Sequence, residues 1–239
     1  MCMNTDVSDN DIKVPDISFL QLSDSFFPTG LYTMSNGLES IFYRKKINAN
    51  DLQELIRTCL LQQIGPSDCT AVGNVYDFIA KSDMNGILRT DRMLFSMRLI
   101  EEVREASVRS GIQLLRCVKS FINSDEHLNQ FEKMVKTGEA SGIYPISFAV
   151  ACNSLSIQKK RAGLMLLYGF TVSMVGAALR MGIIQHYEGQ KIIHNLKPSI
   201  LLSIKSNIDR PITGIWQFAP ALDIIQIGHE NMSSKMFIT

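Results

Sequence analysis

Between Arg161 and Arg180 the chain runs from residue 162 to 179 without a charged side chain. As one helix this run would be roughly 27 Å long at 1.5 Å per residue, close to the thickness of a bilayer's hydrocarbon core. It must therefore be either a membrane span or the core helix of a helical protein. Lys159, Lys160, Arg161 and Arg180 flank it, as they would flank a span. Its internal residues favour the core. Gly163, Gly169, Gly176 and Gly182 recur every six or seven residues, a flat stripe suited to close helix contact, and Thr171, Ser173 and several alanines hold its hydrophobicity at the margin. No second apolar run accompanies it, and the polar, acidic residues 1–14 lack the basic start and apolar stretch of a secretory signal.

The rest of the chain carries helical periodicity. Leu52, Leu55, Ile56, Cys59 and Leu60 fall on one stripe, and Val72, Val75, Tyr76 and Ile79 on another. The pattern predicts helices over residues 17–24 and 33–45, with Leu38, Ile41 and Phe42 on one face and Thr33 as cap. A helix opened by Asn50 with Gln53 as its capping-box partner follows. Gly65-Pro66-Ser67 reads as its end, with Pro66 starting the next helix. Residues 89–121 read as one long helix whose interleaved charges form a solvated face, with Glu105 and Arg109 paired at i, i+4. Shorter helices are expected over 128–135 and 144–155, and another from residue 188 that restarts at Pro198. Alternating strand-length runs bounded by hairpin turns are absent. The expected fold is all-α, a single-domain helical bundle with a long, buried, Gly-striped central helix. Residues 1–16 are expected to be a disordered lead-in, 17–220 the helical domain, and 221–239 a tail without a clear helix face that is mobile alone.

Chemistry is hard to find in it. The chain lacks a G-x-x-x-x-G-K-[ST] loop, a G-x-G-x-x-G turn and a G-x-S-x-G elbow, so no nucleotide cofactor and no catalytic residue is assigned. Cys2, Cys59, Cys69, Cys117 and Cys152 are odd in number, with no C-x-x-C spacing, and read as reduced, mostly buried thiols of a cytoplasmic protein. His127, His186, His194 and His229 form no i, i+4 pair, and no metal site is assigned. A net charge of +1 gives no electrostatic case for nucleic acid or an anionic membrane. Two clusters remain: residues 27–39, where Pro28 and Gly30 shape a turn, and residues 229–239, which read as a frayed end or as a segment that orders on binding, with Phe237 an apolar anchor beside Lys235.

Those clusters carry a resemblance. Leu20-Gln21-Leu22-Ser23-Asp24, Phe27-Pro28-Thr29-Gly30 and Ser35-Asn36-Gly37-Leu38-Glu39 resemble the opening of the urease accessory protein F (UreF) family. The charged helix from Arg98 to Leu115, Tyr144-Pro145-Ile146, the glycine-striped run, Glu188-Gly189-Gln190, Asp223-Ile224, His229-Glu230 and Lys235-Met236-Phe237 are similar to that family's later motifs in the same order. Met34, Gly228, Ser233 and Lys235 depart from the pattern, the drift of a divergent, archaeal-type branch. The resemblance implies an all-α, non-enzymatic homodimer that needs no cofactor. It implies that the chain bridges UreD (also called UreH) and the GTPase UreG in the complex that delivers nickel to apo-urease, and that it regulates the GTPase. By the same resemblance, Lys235, Met236 and Phe237, with His229 and Glu230, meet UreD, and Tyr32, Gly37, Leu38 and Glu39 lie near the interfaces. Two readings of the residues alone stand beside it: a metal-dependent enzyme working through His186 and His194, and a membrane-attached helical protein.

Overall fold

The computed structural model describes residues 12–24, 26–30, 34–44, 46–230, 232 and 235–239. The described residues are helical and contain no strand, the expected all-α bundle. In chain order its α-helices are α1 (Val14–Ser23), α2 (Leu38–Arg44), α3 (Ala49–Cys59), α4 (Thr70–Ile79), α5 (Met84–Met97), α6 (Glu101–Lys119), α7 (Glu126–Thr137), α8 (Tyr144–Ser154), α9 (Lys159–Arg180), α10 (His186–Asn207) and α11 (Pro220–Glu230).

The most enclosed helix is α8. Pro145 to Cys152 are buried without interruption, as expected of a helix that is apolar on every side. It packs against α4, α5, α6, α7 and α9. α9 lies along α10 and α4, and Lys159 ties its first turn to Asp77 and Asp209, each at 2.9 Å. Burial alone would lower the Lys159 pKa, but hydrogen bonds to Asp209 and Asp77 outweigh it and raise the value. α9 is the one described helix long and apolar enough to cross a membrane, and more than half of that window is buried inside the protein.

Several boundaries differ from expectation. α1 begins at Val14 with Pro15 in its first turn, ahead of residue 17. Asn48, not Asn50, caps α3. Its Oδ1 accepts the Asn50 and Asp51 amides at 2.8 and 3.1 Å, and Asp51 reciprocates, so the capping box exists two residues upstream. Gly65-Pro66 does not end the helix. A π-helical segment, Leu60–Cys69, carries α3 into α4 with Pro66 inside it, the wider turn tolerating a residue without an N–H. Its carbonyls bond outward: Leu60 O accepts from Ser203 Oγ at 2.9 Å, Gln62 O from Phe218 N at 2.8 Å and Pro66 O from Trp216 N at 3.2 Å.

The expected long helix over 89–121 is two, broken at Arg98–Ile100, where Arg98 turns inward instead of lying on a solvated face. α10 runs unbroken through Pro198. That proline sits on the exposed side, where the carbonyl it leaves unpaired can be met by water. The residues expected to form a tail without a clear helix face contain all but the first residue of α11, which packs on α2.

Candidate partner-binding site

The site grows from the entrance to α2. Asn36 and Gly37 both have positive φ, 53° and 86°, turning the chain so that Leu38 enters the core and Glu39 points inward. Gly37 is needed twice. Its backbone is left-handed, and a Cβ there would stand 3.0 Å from Gln226 Cγ and 3.2 Å from Ile225 Cγ2 of α11. Closely packed, α11 brings His229 onto Glu39, each only 1% exposed.

Four charged side chains close around that contact. His229 Nε2 lies 3.0 Å from Glu39 Oε2, and Nδ1 lies 2.8 Å from Glu102 Oε2, contributed by the first turn of α6. Lys235 Nζ reaches Glu102 Oε1 at 2.7 Å and the Glu230 carbonyl at 3.2 Å. Glu39 also accepts two backbone amides, Met236 N on Oε1 at 2.7 Å and Phe237 N on Oε2 at 3.1 Å. Every carboxylate oxygen of Glu39 and Glu102 thus has a hydrogen-bonding neighbour, and the His229 ring bridges the two side chains through both of its nitrogens.

The last residues lie along this cluster in alternation. Phe237 is buried, 5% exposed, with the Arg180 guanidinium 4.6 Å from its ring centroid. The Thr239 carbonyl accepts from the Ser35 amide at 2.8 Å and from its hydroxyl. Between these anchors Met236 and Ile238 point outward, 63% and 42% exposed.

The structure therefore brings together Gly37, Leu38, Glu39, His229, Lys235, Met236 and Phe237. Glu230 is exposed and takes part through its carbonyl. Gly30 has a φ of 81° in the turn after Pro28. Tyr32, and Thr33 as a cap, lie outside the described residues. The expectation of a tail mobile alone meets a tail held by Ser35, Glu39, Glu102 and Arg180 of the same chain. Sequence reading missed Glu102, placed on a solvated face, and the anchors Ser35 and Arg180. The signal available for Glu102 was its place in the first turn of a helix.

A second buried ion pair supports the site from below. Arg98 Nη2 binds Asp68 of the π-helical segment at 2.5 and 2.6 Å. Gln217 then receives Arg98 Nη1 on Oε1 at 3.2 Å and donates through Nε2 to the Met97 carbonyl at 2.7 Å. The strap leading into α11 is thereby held in register against the π-helical segment.

Little else offers chemistry. Burial pushes the Cys59 and Cys69 thiols up to about 12 and Cys152 well above its usual value, so they remain protonated and are poor ligands or nucleophiles. Cys2 lies outside the described residues. His186 and His194 share α10, but both are exposed, and among the described residues no group of His, Cys, Asp and Glu converges to hold a metal ion.

The chain is thus an all-α body whose charged cluster fastens its own last residues and leaves Met236 and Ile238 outward. Residues 47–197 match the UreF family. A urease accessory protein UreF of Trichodesmium erythraeum is 30% identical over 236 residues, covering 98% of this chain and 99% of that one. Proteins of the same name from Actinobacillus pleuropneumoniae and, as UreF 1, from Brucella melitensis are 24% and 27% identical over 93% of this chain. The chain belongs to the UreF family.

Proposed function

We propose that this chain is a urease accessory protein, not an enzyme, that acts in the cytoplasm as a homodimer. It bridges UreD (UreH) and the GTPase UreG in the complex that delivers nickel to apo-urease, and it regulates the GTPase. Its relatives' names support the accessory role. The observation that carries the docking assignment is the fastened tail. Glu39, His229 and Glu102 hold residues 235–239 so that Met236 and Ile238 face solvent. A pre-ordered segment binds without paying its ordering entropy at the moment of contact. UreD is the partner that this surface meets.

The test is co-expression with the urease structural and accessory genes, followed by purification through a tag on this chain. The full chain is expected to recover UreD and, through it, UreG and apo-urease. A chain lacking residues 235–239 is expected to lose them. Full recovery by the shortened chain would refute the tail assignment. Because Phe237 is buried, that truncation also lowers thermal stability, so substitutions at the outward residues are the cleaner variants.

A further inference from the structure

Beside the tail, α6 presents two guanidinium groups that have no partner among the described residues. Arg109 and Arg116 are exposed, and neither makes an ion pair or hydrogen bond there. The expected pairing of Arg109 with Glu105 does not form. Across the α6–α7 groove from Arg116, Glu132 is engaged by Lys136 at 2.8 Å. The two arginines are seven residues apart, two helical turns and roughly 10 Å along one face. They border a groove of about 470 Å³ whose apolar wall is made by Met34, Ala106, Ile112 and the outward Ile238 of the tail.

We propose that this groove receives an acidic, amphipathic helix of a partner protein, with carboxylates two turns apart facing Arg109 and Arg116 and apolar residues between them against Ile112 and Ile238. The chemistry selects that occupant. The two side chains spring from points two helical turns apart with an apolar wall between them, an arrangement that suits a second helix better than a single small anion. A helix with acids at i and i+7 matches both the spacing and the wall. Unpaired arginines next to apolar surface strengthen their ion pairs once a partner excludes water. The inference rests on the docking role proposed above, since Ile238 belongs to both surfaces, and it adds what the partner must carry.

The experiment compares the tagged full chain with R109E/R116E, R109K/R116K and Met236→Glu in the same co-expression. The exposed arginine substitutions are expected to leave the thermal midpoint unchanged. Charge reversal should reduce partner recovery about tenfold or more, while the lysine pair stays within about threefold and is more easily stripped by salt. Recovery by R109E/R116E equal to the unmodified chain, with Met236→Glu still defective, overturns the groove and leaves the docking role intact. If the unmodified chain recovers no partner, both fall. Stoichiometric binding of inorganic phosphate by calorimetry, lost in R109E/R116E while partner recovery persists, would replace the proposal with a small-anion site.

Discussion

Glu39 and His229 stand 3.0 Å apart inside the protein, although 190 residues separate them in sequence. Glu39 joins three parts of the site: it meets the His229 ring of α11 and, on the same carboxylate, the amides of Met236 and Phe237. The order of the chain's end thus depends on a charge buried near its beginning.

Replacing that charge should release the end. Glu39→Gln keeps the shape but takes one of the two carboxyl groups from the His229 ring, and it presents an NH2 where the Met236 and Phe237 amides need an acceptor. Breaking a buried pair from one side is expected to remove about 3 kcal/mol, lowering Tm by roughly 6–12 °C in a domain of this size. Limited trypsin digestion gives the local readout. Cleavage after Lys235 should become fast in Glu39→Gln under conditions where the unmodified chain resists. Unchanged cleavage would mean that the carboxylate does not hold the tail.

The Asp68–Arg98 pair invites a double-mutant cycle. Arg98→Met strands the buried Asp68 carboxylate and the Gln217 side chain, and should lower stability by about 3–5 kcal/mol in urea. Asp68→Asn/Arg98→Met removes both charges, while the amide oxygen of the new side chain can still accept the Ser67 hydroxyl, which donates to Asp68 at 2.9 Å in the native chain. The double variant should be clearly more stable than the sum of the single losses implies. Strict additivity would show that the two residues act independently.

Glycines separate by what surrounds them. A Cβ on Gly73 would run into the Ile208 carbonyl, whereas at Gly169 and Gly176 nothing among the described residues lies within 4 Å. The glycine stripe of α9 is therefore not uniformly a contact surface, and within it Gly163 is the one that meets close neighbours, Ile208 and Cys69, at 3.0 and 3.3 Å. Gly73→Ala should destabilise by about 1–3 kcal/mol through overpacking, and Gly169→Ala should be neutral or stabilising by up to about 1 kcal/mol through helix propensity. Thermal melts of the two variants should move in opposite directions or, at the least, only the first should fall.

Much of this architecture was readable beforehand because burial imposes a period. Leu52, Ile56, Cys59 and Leu60 recur at helical spacing and are all buried, and the all-α class followed from such stripes. Local chemistry misled where long-range packing overrode it. Gly65-Pro66 carries a stop signal, yet outward donors that bond neighbouring carbonyls support the helix through it. Arg98 and Glu102 carry the composition of a solvated face, and their partners lie 30 and 127 positions away. The resemblance picked out Glu39, His229 and residues 235–237. It did not reveal that Phe237 is an internal anchor, because in-and-out alternation over so few residues is too short to read.

Asp91 gives a pH signature distinct from the tail. Burial raises its pKa, outweighing the bonds that it accepts from Ser141 and from the amides of Ser141 and Ile143. The native state therefore binds this proton more tightly than the unfolded chain does, and stability attributable to the group falls as pH rises through its native titration. Asp91→Asn removes the titration. The stability difference between Asp91→Asn and the unmodified chain should shift in favour of the variant as pH rises from the ordinary carboxylate range toward neutrality, measured by urea unfolding at a series of pH values. A flat difference would contradict the raised value.

The alternation of the last residues separates folding from docking in one experiment. Phe237 packs under Arg180 and is buried, so Phe237→Ala should lower stability by about 3 kcal/mol or more. Met236 and Ile238 are exposed, so Met236→Glu and Ile238→Glu should each change stability by no more than about 0.5 kcal/mol. If the tail docks through its outward side chains, those two glutamates should abolish recovery of UreD, since an unpaired charge at the centre of an interface is not tolerated. Phe237→Ala should weaken recovery only as far as it unfastens the tail, and cooling or a stabilising osmolyte should restore part of it. Unimpaired recovery by both glutamate variants, with loss confined to Phe237→Ala, would mean that the tail contributes to the fold alone and that the partner meets another face.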